Sequence, residues 1–240
     1  MNTKAVVLKE IKLKEEDKIV VVFSREYGKI SIFAKGARKT KSAFLAGTQM
    51  LTYSDFLIYK KDNISNLSKI DLIDSFMYIK NDYNKLYYAM YFAEFIDMVT
   101  IEDNPCKEIF DFFIMTLNKL KTDKDVKLMK AIFELKILGL AGYMPNVVSC
   151  QLCDTEISDT DTYFDVKEEG IVCNACNLKK RGIKISKTTL FALKYIYYAE
   201  ADKLYLFSMD EEFKKQLINV ATDFKNSVID KPMKTEKFLI

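Results

Sequence analysis

The sequence predicts an α+β multidomain protein. An N-terminal five-stranded β barrel of the oligonucleotide-binding (OB) type is followed by a mostly α-helical domain with an inserted four-cysteine zinc knuckle. Short β-branched runs separated by turns fill residues 4–74, a helical apolar period replaces them further on, and two closely spaced cysteine pairs follow. These observations place the barrel at residues 1–80, the helical domain at 81–240 and the zinc knuckle at 146–182.

The barrel strands are predicted from β-branched and alternating apolar residues. The run Ile19–Phe23 is typical of a buried strand, and Gly28 ends a short turn that leads into the next strand. Lys61–Asn63 forms a second turn, and five short strands at hairpin spacing favour a small closed barrel. The predicted strands are Ala5–Leu13, Ile19–Phe23, Lys29–Ala34, Thr48–Tyr59 and Ile64–Ile73.

After Asn81 the apolar period becomes that of a helix. The stretch Tyr83–Thr100 is apolar nearly all round, which is typical of a central helix, and its tyrosines are interpreted either as core residues or as base-stacking residues. Asn104 and Pro105 provide a cap and first turn for the helix that follows. The predicted helices are Tyr83–Thr100, Pro105–Leu120, Asp123–Leu140, Ser186–Ala199 and Met209–Val228.

Two Cys-x-x-Cys pairs separated by nineteen residues predict one structural zinc ion. A four-thiolate tetrahedral site has no open coordination position, so it stabilises structure and does not activate water. The alternatives are two disulfides or four unconnected thiols. The fifth cysteine, Cys106, is interpreted as an ordinary side chain. The predicted ligands are Cys150, Cys153, Cys173 and Cys176.

A basic loop lies between the third and fourth predicted strands. It holds four cations within seven residues and no acid, with small residues that leave backbone amides accessible to phosphate. Residues 1–80 carry 15 Lys and Arg against 9 Asp and Glu, so the excess positive charge lies on the barrel. The alternative is a solvated loop in a lysine-rich chain. The predicted DNA-binding residues are Lys35, Arg38, Lys39 and Lys41.

A second basic run follows the last predicted zinc ligand. It can extend a nucleic-acid surface, bind an acidic partner peptide, or form only the polar cover of the knuckle. Its members are Lys179, Lys180, Arg181, Lys184 and Lys187.

The composition excludes several function classes. With 240 residues and 49% hydrophobic content, the chain is not disordered, and it is long enough for one large domain or two to three small ones. No signal peptide and no apolar stretch approaching about 18 residues is found, so we expect a cytoplasmic protein with no membrane partner.

No catalytic motif is recognised, and we predict that the protein is not an enzyme. The absence of histidine excludes Ser-His-Asp and Cys-His sites, and neither phosphate-binding glycine loop occurs. The run Asp159–Asp165 is weakly similar to a calcium loop but lacks its glycine and glutamate, so we interpret it as a polar hairpin.

Several segments together resemble the bacterial RecO family of recombination mediators. They are Gly28–Ile30, the loop Ala34–Arg38 with Lys41 and Ser42, Phe133–Lys136, and Gly142–Pro145 just ahead of the cysteines. The resemblance implies an OB barrel, a helical domain and a zinc knuckle. It also implies binding to single- and double-stranded DNA, to RecR, and to the acidic C-terminal tail of single-stranded DNA-binding protein.

The leading hypothesis is therefore a DNA-repair mediator that anneals complementary strands without ATP and assists recombinase loading. Its cations would displace counterions from both strands and reduce their repulsion. Two alternatives remain: a zinc-stabilised, magnesium-dependent nucleic-acid enzyme, and a scaffold that binds only proteins.

Overall fold

The computed structural model describes residues 1–157 and 162–239, which form two compact units. The first unit consists of residues 1–123 together with the C-terminal segment from Met233, and the second of residues 124–232. Asp159 and Asp161 of the predicted polar hairpin lie outside the described residues.

The first unit contains a closed barrel with the strand order β1-β2-β3-β5-β4, in which β4 also pairs with β1. All pairs are antiparallel except β3 with β5, whose bridge joins Phe33 and Asn66. The predicted five-stranded barrel is confirmed, and its closure fits the OB fold. The strands are β1 (Asn2–Leu13), β2 (Asp17–Ser24), β3 (Gly28–Ala34), β4 (Tyr53–Lys61) and β5 (Ile64–Asp74).

The fourth strand begins at Tyr53, five residues later than the sequence indicated. Residues 35–52 instead make consecutive turns, in which the Thr48 amide and hydroxyl both donate to the Phe44 carbonyl, at 3.1 and 2.5 Å. Side-chain bonding to nearby backbone competes with strand pairing, so these residues form a long loop between β3 and β4.

The barrel interior is filled by alternate residues of the strands. On β2, Val20 and Val22 point into this core, while Val21 and Phe23 are also buried. The outer face of β2 is covered as well, because the ring of Phe23 lies 5.9 Å from that of Phe110. The continuous apolar run of this strand therefore reflects burial on both faces.

The helices of the first unit are α1 (Met77–Lys80), α2 (Tyr83–Val99) and α3 (Lys107–Lys119). On α2, Tyr88 and Tyr91 are buried as core residues, whereas Tyr83 is exposed. The α3 helix begins after Cys106 and not at Pro105, because Asn104 packs instead against the turn at Gly28. A Cβ at Gly28 would lie 2.3 Å from the Asn104 carbonyl oxygen, and its φ of +70° also favours glycine.

The C-terminal segment is held by Glu94 of α2. The backbone amides of Lys234 and Thr235 donate to the Glu94 carboxylate at 2.9 and 2.8 Å, and the Thr235 hydroxyl donates at 2.6 Å. The ring of Phe238 stacks on that of Tyr87 with 5.4 Å between centroids. One carboxylate and one ring contact thus attach the end of the described chain to the first unit.

The second unit combines helices with a small sheet of order β7-β6-β8. Two carbonyls at the end of α5, those of Tyr197 and Ala199, accept hydrogen bonds from Lys136 Nζ of α4 at 3.1 and 3.2 Å. The Lys136 ammonium thereby satisfies orphan carbonyls at a helix C-terminus. The elements are α4 (Val126–Leu140), β6 (Thr162–Asp165), β7 (Gly170–Cys173), β8 (Ile183–Ile185), α5 (Lys187–Tyr198) and α6 (Glu211–Val228).

The predicted architecture of a barrel followed by helices and an inserted knuckle is confirmed. The knuckle with its small sheet lies between α4 and α5 in the chain. Among the described residues, no helix is both long and apolar enough to cross a membrane.

Candidate metal centre and nucleic-acid interface

The four predicted ligands converge. The sulfur atoms of Cys150, Cys153, Cys173 and Cys176 all lie within 4.8 Å of one another, and those of Cys153 and Cys173 are 3.9 Å apart. All four residues are free thiols, which excludes the two disulfides considered above. The cluster could hold a metal ion.

Two tight turns bring the pairs together. In the first, the Asp154 amide donates to the Cys150 carbonyl at 2.9 Å, and in the second, the Cys176 amide donates to the Cys173 carbonyl at 3.2 Å. Backbone amides of Leu152 and Cys173 also point at Cys150 Sγ, each at 3.4 Å. Amides directed at sulfur favour the thiolate form that binds metal.

Gly170 positions the second pair. It starts β7, and a Cβ there would lie 2.5 Å from the Asn146 carbonyl oxygen. That carbonyl accepts from the Ile171 amide at 2.9 Å, which joins the segment before the first pair to the strand that ends at Cys173. The glycine therefore permits the close approach that aligns the two halves of the site.

The thiols influence one another's protonation. Hydrogen bonds with Thr155 lower the pKa of Cys153 to about 6, while the hydrogen bond with Cys153 raises the pKa of Cys176 to about 12. Four thiolates at these distances repel one another, so they do not all ionise unless a cation lies among them. A divalent metal removes this conflict because coordination deprotonates each thiol.

The second basic run divides into two parts. Arg181 is neutralised by two acids of the small sheet and its hairpin, with Nη2 2.7 Å from Glu168 Oε1 and Nε 3.6 Å from Asp165 Oδ2. Lys179 and Lys180 are exposed and form no ion pair within the described ranges. Arg181 therefore supports the knuckle, while the charges of Lys179 and Lys180 are exposed to solvent.

The basic loop begins in a turn fixed by Gly36. Its amide donates to Asp17 Oδ1 at 2.7 Å, and its φ of +65° lies in the region that favours glycine. The Arg38 amide donates to the Glu16 carbonyl at 2.9 Å, and Arg38 Nη1 donates to the Lys14 carbonyl at 2.7 Å. These bonds tie the loop to the β1–β2 turn and hold the guanidinium in one place.

The four loop cations differ in their environment. Lys39 forms an exposed ion pair with Glu16, 2.9 Å between Nζ and Oε2, which raises the pKa of Lys39. Lys35 and Lys41 are exposed, and in the part of the chain that the structure describes they form no ion pair. Exposed pairs contribute little free energy, so all four cations are accessible to an anion.

A cleft of about 680 Å³ lies beside this loop in the first unit, and we call it the Lys80 cleft. Its cations are Lys12, Lys18, Arg38 and Lys80. Its apolar lining, which we call the floor, consists of Leu45, Met50, Leu51, Leu86 and Met90.

Sequence reasoning identified only Arg38 of these cleft cations. Lys18 is buried and pairs with Glu10, 2.7 Å between Nζ and Oε2. A lysine one residue before the buried run of β2 was the available signal for Lys18, whereas nothing in the local pattern distinguishes Lys80 from other helix-end lysines.

An apolar cavity of about 180 Å³ is found on α5 in the second unit, and we call it the Phe191 cavity. The rings of Phe191 and Tyr195 stack with 6.4 Å between centroids, and Phe207 meets Tyr195 edge-on at 5.6 Å. Phe191 is 70% exposed, which is unusual for a phenylalanine and leaves its face available to a ligand.

Comparison with known proteins gives consistent matches along the chain. The family model described as Recombination protein O N terminal matches residues 1–76, and that described as Recombination protein O C terminal matches residues 80–237. Proteins named DNA repair protein RecO are similar over nearly their full length. The relative from Acetivibrio thermocellus is 34% identical, with 96% of this chain and 92% of the relative covered. The relatives from Clostridium novyi and Shouchella clausii are 32% and 31% identical, covering 99% and 98% of this chain and 93% and 92% of their own.

Proposed function

This chain belongs to the RecO family of DNA repair proteins, and on that premise we propose that it is a recombination mediator that binds single- and double-stranded DNA and anneals complementary strands without ATP. One observation carries the proposal: the loop that joins β3 to β4 holds Arg38 in a fixed position among exposed lysines. Arginine at such a site contacts phosphate with a planar pair of donors.

The mechanism is charge neutralisation. Lys35, Arg38, Lys39 and Lys41 contact phosphates of either strand and release their condensed counterions, which lowers the repulsion between two strands. The contacts are to the backbone and carry no sequence information, so any complementary pair can be brought together. No bond is made or broken in this process, and the protein acts as a binding protein and not as an enzyme.

The four-cysteine site holds one zinc ion in this proposal. With Zn–S bonds of about 2.3 Å, a tetrahedral site separates its sulfurs by about 3.8 Å, close to the observed 3.9 Å between Cys153 and Cys173 Sγ. An all-thiolate donor set favours zinc among abundant divalent ions, and it leaves no position for substrate. The ion's contribution is folding of the knuckle. Reduced thiols persist in the cytoplasm, where we place the protein.

The protein partners proposed are RecR and the acidic C-terminal tail of single-stranded DNA-binding protein. An acidic tail requires a basic and partly apolar receptor. The Phe191 cavity lies on the helix that begins at Lys187, the last residue of the second basic run. This combination supports the cavity as the tail receptor, through which the mediator reaches coated single strands and assists recombinase loading.

The test is a strand-annealing assay with complementary oligonucleotides that carry donor and acceptor dyes. We expect the purified protein to accelerate annealing with no nucleotide present, on bare strands and on strands coated with single-stranded DNA-binding protein. Rising salt should suppress the acceleration because it rests on exposed charge. An absolute requirement for ATP, or no acceleration at low salt, would contradict the proposed function.

A further inference from the structure

Lys80 ends the short helix α1 and lines the Lys80 cleft, yet its ammonium has no partner. Its Nζ is buried from solvent, and no hydrogen-bond acceptor lies within reach among the described residues. A buried, unpaired ammonium is unfavourable for folding, and such groups are normally paired or bound to an anion. The position of this charge therefore indicates an anionic ligand.

The only carboxylate among the described residues that line the cleft, that of Glu10, does not accept a hydrogen bond from Lys80. Glu10 accepts from Lys18 Nζ through Oε2 and from the Met50 amide through Oε1, both at 2.7 Å. Lys18 also donates to the Thr48 carbonyl at 2.9 Å. The one carboxylate that lines the cleft is thus occupied, and Lys12, Arg38 and Lys80 remain for a ligand.

We propose that the Lys80 cleft binds a backbone phosphate of single-stranded DNA, with the adjoining base on the apolar floor, and that it gives the protein a preference for single strands over duplex. This inference rests on the proposed DNA-binding function. It assigns to Lys80 a role that differs from that of the basic loop. The basic loop contacts phosphate on any DNA, whereas Lys80 contacts phosphate only on an unpaired strand.

Continuity with the basic loop favours DNA over an acidic peptide as the ligand. Arg38 belongs to the basic loop and lines the cleft as well, so a strand whose phosphates follow the loop reaches the cleft without leaving the cationic surface. The cleft offers three cations with no carboxylate partner among the described residues, Lys12, Arg38 and Lys80, and it is also lined by leucine and methionine side chains. This arrangement suits alternating phosphate and base.

The depth of the ammonium favours a single strand over duplex. Lys80 lines the cleft while its Nζ is shielded from solvent, so a phosphate reaches the Nζ only by entering the cleft and displacing the side chains that cover it. The phosphates of a duplex lie on a stiff cylinder with a persistence length of about 50 nm, and turning one inward requires a sharp local bend. A single strand rotates freely about its backbone and exposes bases that can contact an apolar surface.

Burial also affects the protonation of the free protein. Desolvation lowers the pKa of Lys80. Attraction to the carboxylates of Glu10 and Asp74 raises it again, but only in part. An entering phosphate supplies the missing negative charge at short range and accepts a charge-assisted hydrogen bond from Lys80. The buried ammonium is then no longer unpaired, as it is in the free protein.

The decisive experiment uses the full chain with Lys80→Met, which keeps an unbranched side chain only one atom shorter and removes its charge. Affinities are measured for a poly-dT oligonucleotide and for a random-sequence duplex of equal length at one salt concentration. We expect about tenfold weaker binding of the single strand, the loss of one charge-assisted contact, and duplex binding within about twofold of wild type. Lys107→Met, at an exposed position at the start of α3, is the matched control and should change neither affinity.

Folding is monitored by the Tm of each variant without ligand. Because Lys80→Met removes a buried unpaired charge, its Tm should equal or exceed that of wild type, and single-stranded DNA should raise the Tm of wild type more than that of the variant. A lowered Tm without ligand would show that the ammonium has a structural partner and would overturn the inference.

The outcomes separate this inference from the proposed function. If wild type binds DNA and Lys80→Met weakens neither ligand, or weakens both equally, the cleft does not select single strands. If the variant loses affinity only for an acidic peptide and retains that for poly-dT, the cleft is a peptide site and the inference is wrong. If wild type binds neither DNA at low salt, the proposed function itself fails, and the inference fails with it.

Discussion

The guanidinium of Arg38 donates to the backbone carbonyl of Lys14, with 2.7 Å between Nη1 and O, and this bond orients the side chain without neutralising it. The other two arginines form ion pairs, Arg25 with Asp111 at 2.8 Å and Arg181 with Glu168 at 2.7 Å. Across residues 1–157 and 162–239, Arg38 has no carboxylate partner. A carbonyl acceptor leaves the full positive charge available to phosphate.

The first prediction concerns this loop. Arg38→Ala combined with Lys35→Ala should weaken binding to unrelated DNA sequences about equally, because phosphate contacts are independent of sequence. Two lost contacts should also reduce the slope of log K against log salt by about 1.4–1.8 units, depending on whether the DNA is single- or double-stranded. Fluorescence anisotropy over a salt series measures both quantities.

The matched control for the loop is Arg25→Ala, which removes an arginine that is paired with Asp111 on the same unit. This control removes one positive charge where the loop variant removes two, and its effect on the salt slope should be far smaller than half of the effect of the loop variant. Unchanged affinity and slope in the loop variant would establish the loop as a solvated surface.

The second prediction concerns the metal. Purified, reduced protein should contain one zinc ion per chain. Cys150→Ser should lose it because a site with three thiolates and one hydroxyl binds zinc poorly. Thermal stability should fall by about 2–4 °C for each kcal/mol lost, since metal binding is coupled to folding. Elemental analysis and calorimetry measure the two effects.

Cys106→Ser is the control for the metal prediction. Cys106 lies at the N-cap of α3 in the first unit, away in sequence from the four ligands, and its replacement should leave the zinc content unchanged. Protein that contains no zinc after purification without chelator would contradict the assignment.

The third prediction concerns pH and the C-terminal segment. Burial alone would raise the pKa of Glu94, but hydrogen bonds from Thr235 and Lys234 outweigh it and lower the pKa below its usual value. The stabilisation is therefore complete above the unfolded pKa of about 4.3 and is lost as the pH falls through the lower folded pKa. The protection factors of the Lys234 and Thr235 amides, which are their exchange rates corrected for the intrinsic pH dependence of exchange, should fall only in that acidic range.

Glu94→Gln should release the segment at neutral pH. An amide NH2 group replaces one carboxylate oxygen in this variant, and this donor would face the amide and hydroxyl donors of Lys234 and Thr235. Carboxypeptidase should then shorten the variant faster than wild type. Glu108→Gln, at an exposed position in the first turn of α3, is the control and should behave as wild type. Equal digestion of all three proteins would show that the carboxylate does not hold the segment.

The fourth prediction concerns the proposed tail receptor. Phe191→Ala should weaken binding of the acidic tail peptide about tenfold, as expected for loss of an aromatic anchor, and should slow annealing on coated strands while annealing on bare strands is unchanged. Leu206→Ala removes another exposed apolar side chain that does not line the cavity, and it should have no effect. Annealing of coated strands that is indifferent to deletion of the tail would contradict this assignment.

The sequence by itself determined the architecture and the four cysteines that converge on one point. The β-branched run of β2 and the helical period of α2 identify buried faces, because side-chain burial repeats with the geometry of each element. The Cys-x-x-Cys spacing identifies the converging cysteines because a tight turn is enough to direct both thiols of a pair to one point. These features depend on residues close together in the chain.

Only the tertiary structure decided which charges are available. Arg181 pairs with Glu168, although it stands in a stretch of the sequence that contains only basic charges. Lys18 pairs with Glu10, although it directly precedes the apolar run of β2. Lys80, whose buried Nζ has no partner among the described residues, lines one cleft with Arg38 and Leu86, and the chain brings these residues together from three separate segments. Charge pairing and cavity shape depend on such long-range contacts and on the exclusion of water, and neither leaves a periodic signal in the sequence.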